Sequence, residues 1–453
     1  MPLLPWLLLI GALLLLTSFL SGWIHRGPVT TFAIFLAVGV IVGPGVLGLA
    51  SLGFTTEHVH WLRLASEAAL VVSLFITGLK LRIGLHDRAW RMAFRLALPG
   101  MVLTAAGVAL VARWLLGWDW PWSLALAAMV SPTDPVLAAL VSVDDARDDD
   151  PLRLSLSAEA GLNDATALPL LLLALPLMAS GVGFGDVGVH WALVDVAWGF
   201  GGGLLIGLIG GAGLGYLGAR LRHASKDVAP SDFFALGIML VVYALCEMVG
   251  ASAFLAAFAS GVGLRWVERR VSRHAQEDTL RAGGEASQEP AETLVRPNER
   301  ARATVDHPAQ TVGWVISDAL SFGETVERLI ASMLVMLVGI VALPALGWPA
   351  LGVAVMLMLI LRPLAVWIST IGSRVPWQRR LLIGWFGIRG LGTLNYLAYG
   401  VSHGMSGPRV AELEGIVVTV VAASILAHGM SVTPLMRWRE RALQRLHEAR
   451  GAP

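Results

Sequence analysis

Four charged side chains fall inside long apolar stretches of this 453-residue chain: Asp134, Glu159, Asp164 and Arg389. A charge at the centre of a bilayer costs about 2.5–3.5 kcal/mol on insertion scales, so such residues usually mark ion pathways or buried pairs. Asp164 stands in the run Ser157-Ala158-Glu159-Ala160-Gly161-Leu162-Asn163-Asp164-Ala165-Thr166. At helical pitch Ser157 and Asp164 lie about 20° apart, and Glu159 and Asn163 form an adjoining stripe. With Gly161 expected to leave open space one turn above Asp164, this helix presents a small polar face holding one deep carboxylate. Such a group can hold a proton or a metal cation.

Two other segments cannot be continuous helices. In Ser131-Pro132-Thr133-Asp134-Pro135, two prolines remove backbone donors and disfavour the α conformation at the residues before them. In Gly384-Trp385-Phe386-Gly387-Ile388-Arg389-Gly390-Leu391-Gly392, four glycines surround an arginine that stays charged at any relevant pH. Irregular backbone at membrane depth survives only where it is buried or lines a cavity, and half-helix ends there offer partial charges to an ion. Arg389 needs a counter-charge, for which Asp134 and Glu159 are available. Glu67 and Glu247 also lie in or near spans, where one structural hydrogen bond or a water-facing place explains them.

The elements that must position these residues follow from composition. Hydrophobic residues make up 56% of the chain and charged ones 14%, against about 25% charged in soluble domains. Mean hydropathy is +0.70. Lys and Arg number 33 against 32 acidic residues, and there is one cysteine, Cys246. That balance gives no reason to expect a nucleic-acid partner, a disulfide framework or a cysteine-ligated metal. The chain reads as an all-α polytopic membrane protein, with no cofactor expected.

Stretches long enough to cross about 30 Å of hydrocarbon fall at roughly 3–21, 29–50, 64–83, 92–116, 121–142, 153–179, 190–219, 231–249, 252–266, 327–345, 347–371, 381–401 and 410–436, about 13 spans. Nothing basic precedes the first run, so it is expected to be a retained helix and not a signal peptide. Arg26, Lys80, Arg82, Arg88, Arg91, Arg220, Arg222, Lys226, Arg265, Arg269, Arg270, Arg273, Arg374, Arg379, Arg380 and the Arg437–Arg445 tail occupy alternate loops. The positive-inside rule then places the N-terminus outside and the C-terminus in the cytoplasm. Trp118, Trp120, Trp122 and Trp348 are expected interfacial anchors.

The polar segment from about Ser272 to Ala309, or 272–313 with its flank, reads as a mobile cytoplasmic loop. Trp314 to Glu327 suggests a short interfacial helix leading into scaffold helix 10 within 314–346. Gly203, Gly207, Gly211 and Gly215 repeat every fourth residue and predict close helix packing. Gly213, Gly215 and Gly218 spell a dinucleotide fingerprint, but the motif has meaning only between a strand and a helix. The interrupted spans are the fifth and the twelfth. If spans 1–6 repeat as 8–13, partners seven apart are inverted, which is the plan of secondary transporters.

Thr133-Asp134-Pro135, Glu159 through Asn163-Asp164, and Gly387-Ile388-Arg389-Gly390 resemble the NhaP-type monovalent cation:proton antiporters, relatives of the eukaryotic sodium/proton exchangers. The resemblance covers nearly all of the membrane part. It implies an NhaA-like antiporter fold, with inverted six-helix repeats and two crossing interrupted helices, in the cell inner (plasma) membrane. It also implies a homodimer with scaffold helices 1–3 (1–90) and 8–9 (230–271) plus helix 10, linking helix 7 (181–229), and a mobile core of helices 4–6 (91–180) and 11–13 (347–437), ending in a short cytoplasmic tail (438–453). The transported partners would be Na+ or K+ and H+, exchanged one for one.

By the same match Asp164 carries cation or proton, Asn163 is its hydrogen-bonding neighbour, and Thr133 adds oxygen. Glu159 supports the site, while Asp134 and Arg389 balance the broken helix ends. The family often has Ser where Ala160 stands and Gly where Ala165 stands, so one ligand oxygen is missing; Ser157 could supply it. The alternatives weighed are a sodium-coupled organic anion symporter on a similar scaffold, an intramembrane protease and a channel. The symporter would want more basic groups, the protease a metal-ligand or two-aspartate motif that His58 and His60 do not make, and the channel explains the buried titratable carboxylate poorly.

Overall fold

The computed structural model describes residues 3–20, 22, 30–51, 56–84, 86–138, 141–143, 145–179, 182–225, 232–281, 289–294 and 308–451. Arg26 and Lys226, two of the basic loop residues, lie outside them. All the regular structure among the described residues is helical. The first three helices are α1 (Leu3–Phe19), α2 (Thr31–Val42) and α3 (Thr56–Lys80). Then come α4 (Arg88–Trp114), α5 (Trp120–Val130) and α6 (Pro151–Leu177). Helix α7 begins at Phe184–His190 and passes through a π-helical stretch, Trp191–Trp198, into Gly199–Ser225. It is followed by α8 (Asp232–Met248), α9 (Ala253–Arg281), α10 (Pro308–Ala345) and α11 (Trp348–Ser369). The last are α12 (Trp377–Trp385), α13 (Leu391–Ser402) and α14 (Pro408–Gly451).

Every stretch expected to span contains helix. Seven of the helices, α3, α4, α6, α7, α10, α11 and α14, are long and apolar enough to cross a membrane, and α1, α2, α5 and α8 are shorter apolar helices. Large apolar side chains such as Leu8, Phe19, Val189, Ile209 and Met248 are exposed. A bilayer is the solvent that suits such a surface. With no hydrophobic drive between helices in lipid, close packing comes from small residues. The glycine stripe of α7 does this against α9: Gly203 meets Ser252, Gly207 meets Ala256, Gly211 meets Ser260 and Gly215 meets Leu264, so closely that a Cβ at any of them would collide. The fingerprint glycines Gly213, Gly215 and Gly218 lie within the same helix; the strand that a nucleotide site needs is absent among the described residues.

Two helices carry π-helical turns at mid-length, α4 at Leu96–Gly100 and α11 at Leu357–Leu361. Pro99 lies in the first and Pro363 just beyond the second. Each proline removes an amide donor and crowds the preceding turn, and widening the turn relieves that crowding.

Three expectations need correction. The segment 272–313 is not one loop: α9 runs on to Arg281, a single helical turn forms at Ala291–Leu294, and α10 starts at Pro308, while 282–288 and 295–307 lie outside the described residues. Glu, Arg, Gln and Ala are good helix formers, and ion pairs fix the turn. Arg265 holds Glu292 through two hydrogen bonds of 2.9 Å, and fully buried Glu268 accepts from the Ala291 amide at 3.1 Å. Composition counted missing apolar side chains and overlooked these pairs. The interfacial helix is also not separate, because 314–327 belongs to α10. Trp118 is not a lipid-facing anchor: it is buried, donates to Glu412 at 3.2 Å and lies beneath Arg409.

Candidate functional site

The two interrupted segments cross. Helix α5 stops at Val130, where Pro132 and Pro135 deny the helix its amides, and α12 stops at Trp385 before the glycine run. At the crossing the Asp134 amide donates to the Ile388 carbonyl at 2.8 Å. The Asp134 carboxylate accepts from the Leu137 amide at 3.0 Å with one oxygen. Its other oxygen accepts from the amides of Leu391 and Gly392, the latter at 3.3 Å. Asp134 thus caps the N-terminus of α13, where the helix dipole favours an anion. Helix α14 braces the other side of the break: Ser424 Oγ accepts from the Arg389 amide at 2.8 Å, and His428 Nε2 lies 2.8 Å from the Trp385 carbonyl.

Helix α6 runs past this crossing and brings Glu159, Asn163 and Asp164 to it, all three buried. Asn163 Nδ2 donates to Thr133 Oγ1 at 2.6 Å, tying α6 to the interrupted strand of backbone after α5. Asp164 Oδ1 accepts from the Tyr396 hydroxyl of α13 at 3.1 Å. Asp164 Oδ2 and Asn163 Oδ1 are buried with no hydrogen-bond partner among the described residues. Thr166, one step further, donates to the Ala97 carbonyl in the π-helical turn of α4 at 3.0 Å, so the widened turn steadies α6 beside its key carboxylate.

Two pairings differ from expectation. Glu159 does not pair with Arg389. Its Oε1 lies 2.5 Å from Nη2 of Arg362, a residue that the sequence reading passed over. Arg362 follows directly on the π-helical turn of α11, and it is as deeply buried as Glu159. Among the described residues, the three guanidinium nitrogens of Arg389 have no hydrogen-bond partner. The cost of a charge at depth should have singled out Arg362 as it did Arg389.

Ser157 is engaged elsewhere. Its hydroxyl accepts from the Val143 amide at 2.9 Å and so anchors the loop that enters α6. Gly161 opens no space, because the Phe258 ring of α9 fills it. Glu67 fits the structural reading, accepting from the Tyr243 hydroxyl at 2.5 Å, and Glu247 is exposed. Tyr396 carried no signal that composition or motif could have revealed. Among the described residues no group of three His, Cys, Asp or Glu is placed to hold a metal ion.

The site therefore consists of one carboxylate with a free oxygen, held among caps and ion pairs where two broken helices meet. The sequence matches the model of a family described as sodium/hydrogen exchanger, transmembrane, over residues 12–284. It is 25% identical over 448 residues to the K(+)/H(+) antiporter NhaP of Alkalimonas amylolytica and 27% over 443 residues to the K(+)/H(+) antiporter NhaP2 of Shewanella oneidensis. Each alignment covers 95% of this chain but 66% of the relative, so the chain spans just under two thirds of the length of these curated relatives. The fold is like that of the sodium proton antiporter MjNhaP1 from Methanocaldococcus jannaschii at pH 8, with a TM-score of 0.65 and 18% identity, covering 96% of this chain and 98% of that one. From the family model, which matches well over half of its length, this chain belongs to the transmembrane sodium/hydrogen exchanger family.

Proposed function

We propose that this protein exchanges a monovalent cation, Na+ or K+, for a proton across the membrane, with the two competing for Asp164. The observation that carries the reading is the buried Asp164 carboxylate at the crossing of two interrupted helices, one of whose oxygens has no partner among the described residues. A group so placed suits a cargo that is either a proton or a dehydrated cation. The names of the relatives, K(+)/H(+) antiporters and, over 263 residues at 28% identity, a Na(+)/H(+) antiporter of Zygosaccharomyces rouxii, agree with both ions. Asn163 and Thr133 shape the site beside Asp164, Asp134 compensates the end of α13, and the Glu159–Arg362 pair supports α6.

One-for-one exchange follows from the buried charges. Besides the paired Arg265 and Glu268, the buried acidic and basic side chains other than His428 among the described residues are Asp134, Glu159, Asp164, Arg362 and Arg389, all at most 3% exposed. Three carboxylates against two guanidiniums leave one negative charge, which either a proton or one monovalent cation on Asp164 neutralises. Glu159 is already paired within the protein, with Arg362.

The moving part would be α4–α6 with α11–α14, sliding against a scaffold of α1–α3 and α8–α10, with α7 between them. The matching π-helical turns of α4 and α11, each followed by an interrupted segment and then a long helix, support an inverted repeat of these units. The charge pattern of the loops favours N-terminus out and C-terminus in, and the family resemblance supports a plasma membrane and a homodimer.

The test is exchange in proteoliposomes, followed with a pH-sensitive dye and titrated with Na+, K+ and Li+ at several clamped potentials. Moving one charge is worth about 2.3 kcal/mol per 100 mV, so a charge-moving cycle would respond strongly. Exchange with at least one of these cations, unaltered by voltage, is expected. No exchange with any of them would overturn the reading, and voltage dependence would overturn the one-for-one ratio.

A further inference from the structure

We propose that Tyr396 supplies a ligand oxygen to the transported cation and so sets its affinity, an inference that rests on Asp164 as the cation carrier. The Tyr396 hydroxyl is fully buried and lies 3.1 Å from Asp164 Oδ1 and 3.2 Å from the backbone carbonyl of the same residue. A phenol has one proton and so serves one of these acceptors at a time. When the carboxylate holds no cation, the O–H donates to Oδ1. When a cation sits on the carboxylate, the O–H turns to the Asp164 carbonyl, and an oxygen lone pair is left to face the ion. The change needs a rotation about one bond and no movement of the ring.

The surroundings call for this oxygen. A dehydrated alkali cation needs several oxygens in place of its hydration shell. Asp164 Oδ2 and Asn163 Oδ1 are buried without partners among the described residues and available. Ala160, one helical turn before Asp164 on the same face, brings none, and the Ser157 hydroxyl is engaged by the Val143 amide. The Tyr396 ring is held in place by Phe254 of α9, which meets it edge to face at 6.5 Å and 88°. Helix α13 itself is fixed by the Asp134 cap five residues earlier. The hydroxyl is thus aimed at the carboxylate by two independent supports.

The experiment compares wild type, Tyr396→Phe, Asp164→Asn and Tyr396→Phe with Ala160→Ser in the proteoliposome exchange assay, using whichever of Na+, K+ and Li+ wild type carries. Cation-dependent thermal stabilisation of the purified proteins is read in parallel. Tyr396→Phe keeps the ring and its packing and removes the oxygen. It is expected to raise the KM for the cation about three- to tenfold, the range for one lost polar contact, with a smaller effect on the maximal rate. The cation concentration needed for stabilisation should rise by the same factor. Ala160→Ser, which offers a hydroxyl from the same face, is expected to recover part of the loss. An unchanged or lowered KM in Tyr396→Phe, with Asp164→Asn inactive, would overturn the role of Tyr396 and leave Asp164 in place. Exchange by Asp164→Asn would instead remove the carrier on which the inference rests.

Discussion

Arg362 and Arg389 are both buried cations, yet the structure gives them different partners. Arg362 is bonded to Glu159 at 2.5 Å, whereas the Arg389 guanidinium makes no hydrogen bond among the described residues. Removing one member of a buried pair strands the other and typically costs about 3–5 kcal/mol. Arg362→Ala is therefore expected to unfold at a lower temperature than Arg389→Ala, and Arg362→Met with Glu159→Gln to recover much of the difference. Thermal unfolding of the purified variants checks this; equal or reversed losses would contradict the pairing. Asp134, Glu159, Asn163 and Asp164 were legible in the sequence because polar groups at membrane depth stand out against apolar neighbours. Arg362 was missed because a long side chain can often reach the interface, although its place deep in the 347–371 stretch was a readable sign. Its partner lies 203 positions away, a separation that only the folded chain closes.

Among the elements, α6 carries most of the candidate site, and its N-terminal end is secured from outside. Its N-terminus is capped by Asp150, which accepts from the Leu152 amide at 2.8 Å and from Arg439 of α14 at 2.5 and 2.7 Å. Burial pushes the Asp150 carboxyl up, but the hydrogen bonds from Arg439 and the Leu152 amide outweigh it and hold the carboxyl below the ordinary aspartate value. A group depressed on folding contributes stability that is present above its unfolded value, near 4, and lost as pH falls through its folded value. Asp150→Asn is expected to cost about 1–2 kcal/mol at pH 7, with the gap from wild type closing towards pH 3. Unfolding measured across that range tests it, and a gap independent of pH would contradict the tie. The interruptions of the fifth and twelfth spans were readable from Pro132, Pro135 and the glycines around Arg389. The π-helical turns and the continuation of α9 to Arg281 were not, since they depend on packing and on ion pairs between distant segments.

For the whole molecule, the arrangement among the described residues amounts to a buried group of Asp134, Glu159 and Asp164 with Arg362 and Arg389, set between helices that glycines bring close together. The stripe from Gly203 to Gly215 could be read in advance, but not the helix it faces. The central claim is that proton and cation share the Asp164 carboxylate. Asp164→Asn keeps the size of the side chain and removes the only function that the claim requires. Purified, folded Asp164→Asn, reconstituted beside wild type and assayed for dye-detected exchange with Na+, K+ and Li+, is expected to show none while wild type exchanges. Robust exchange by Asp164→Asn would contradict the account.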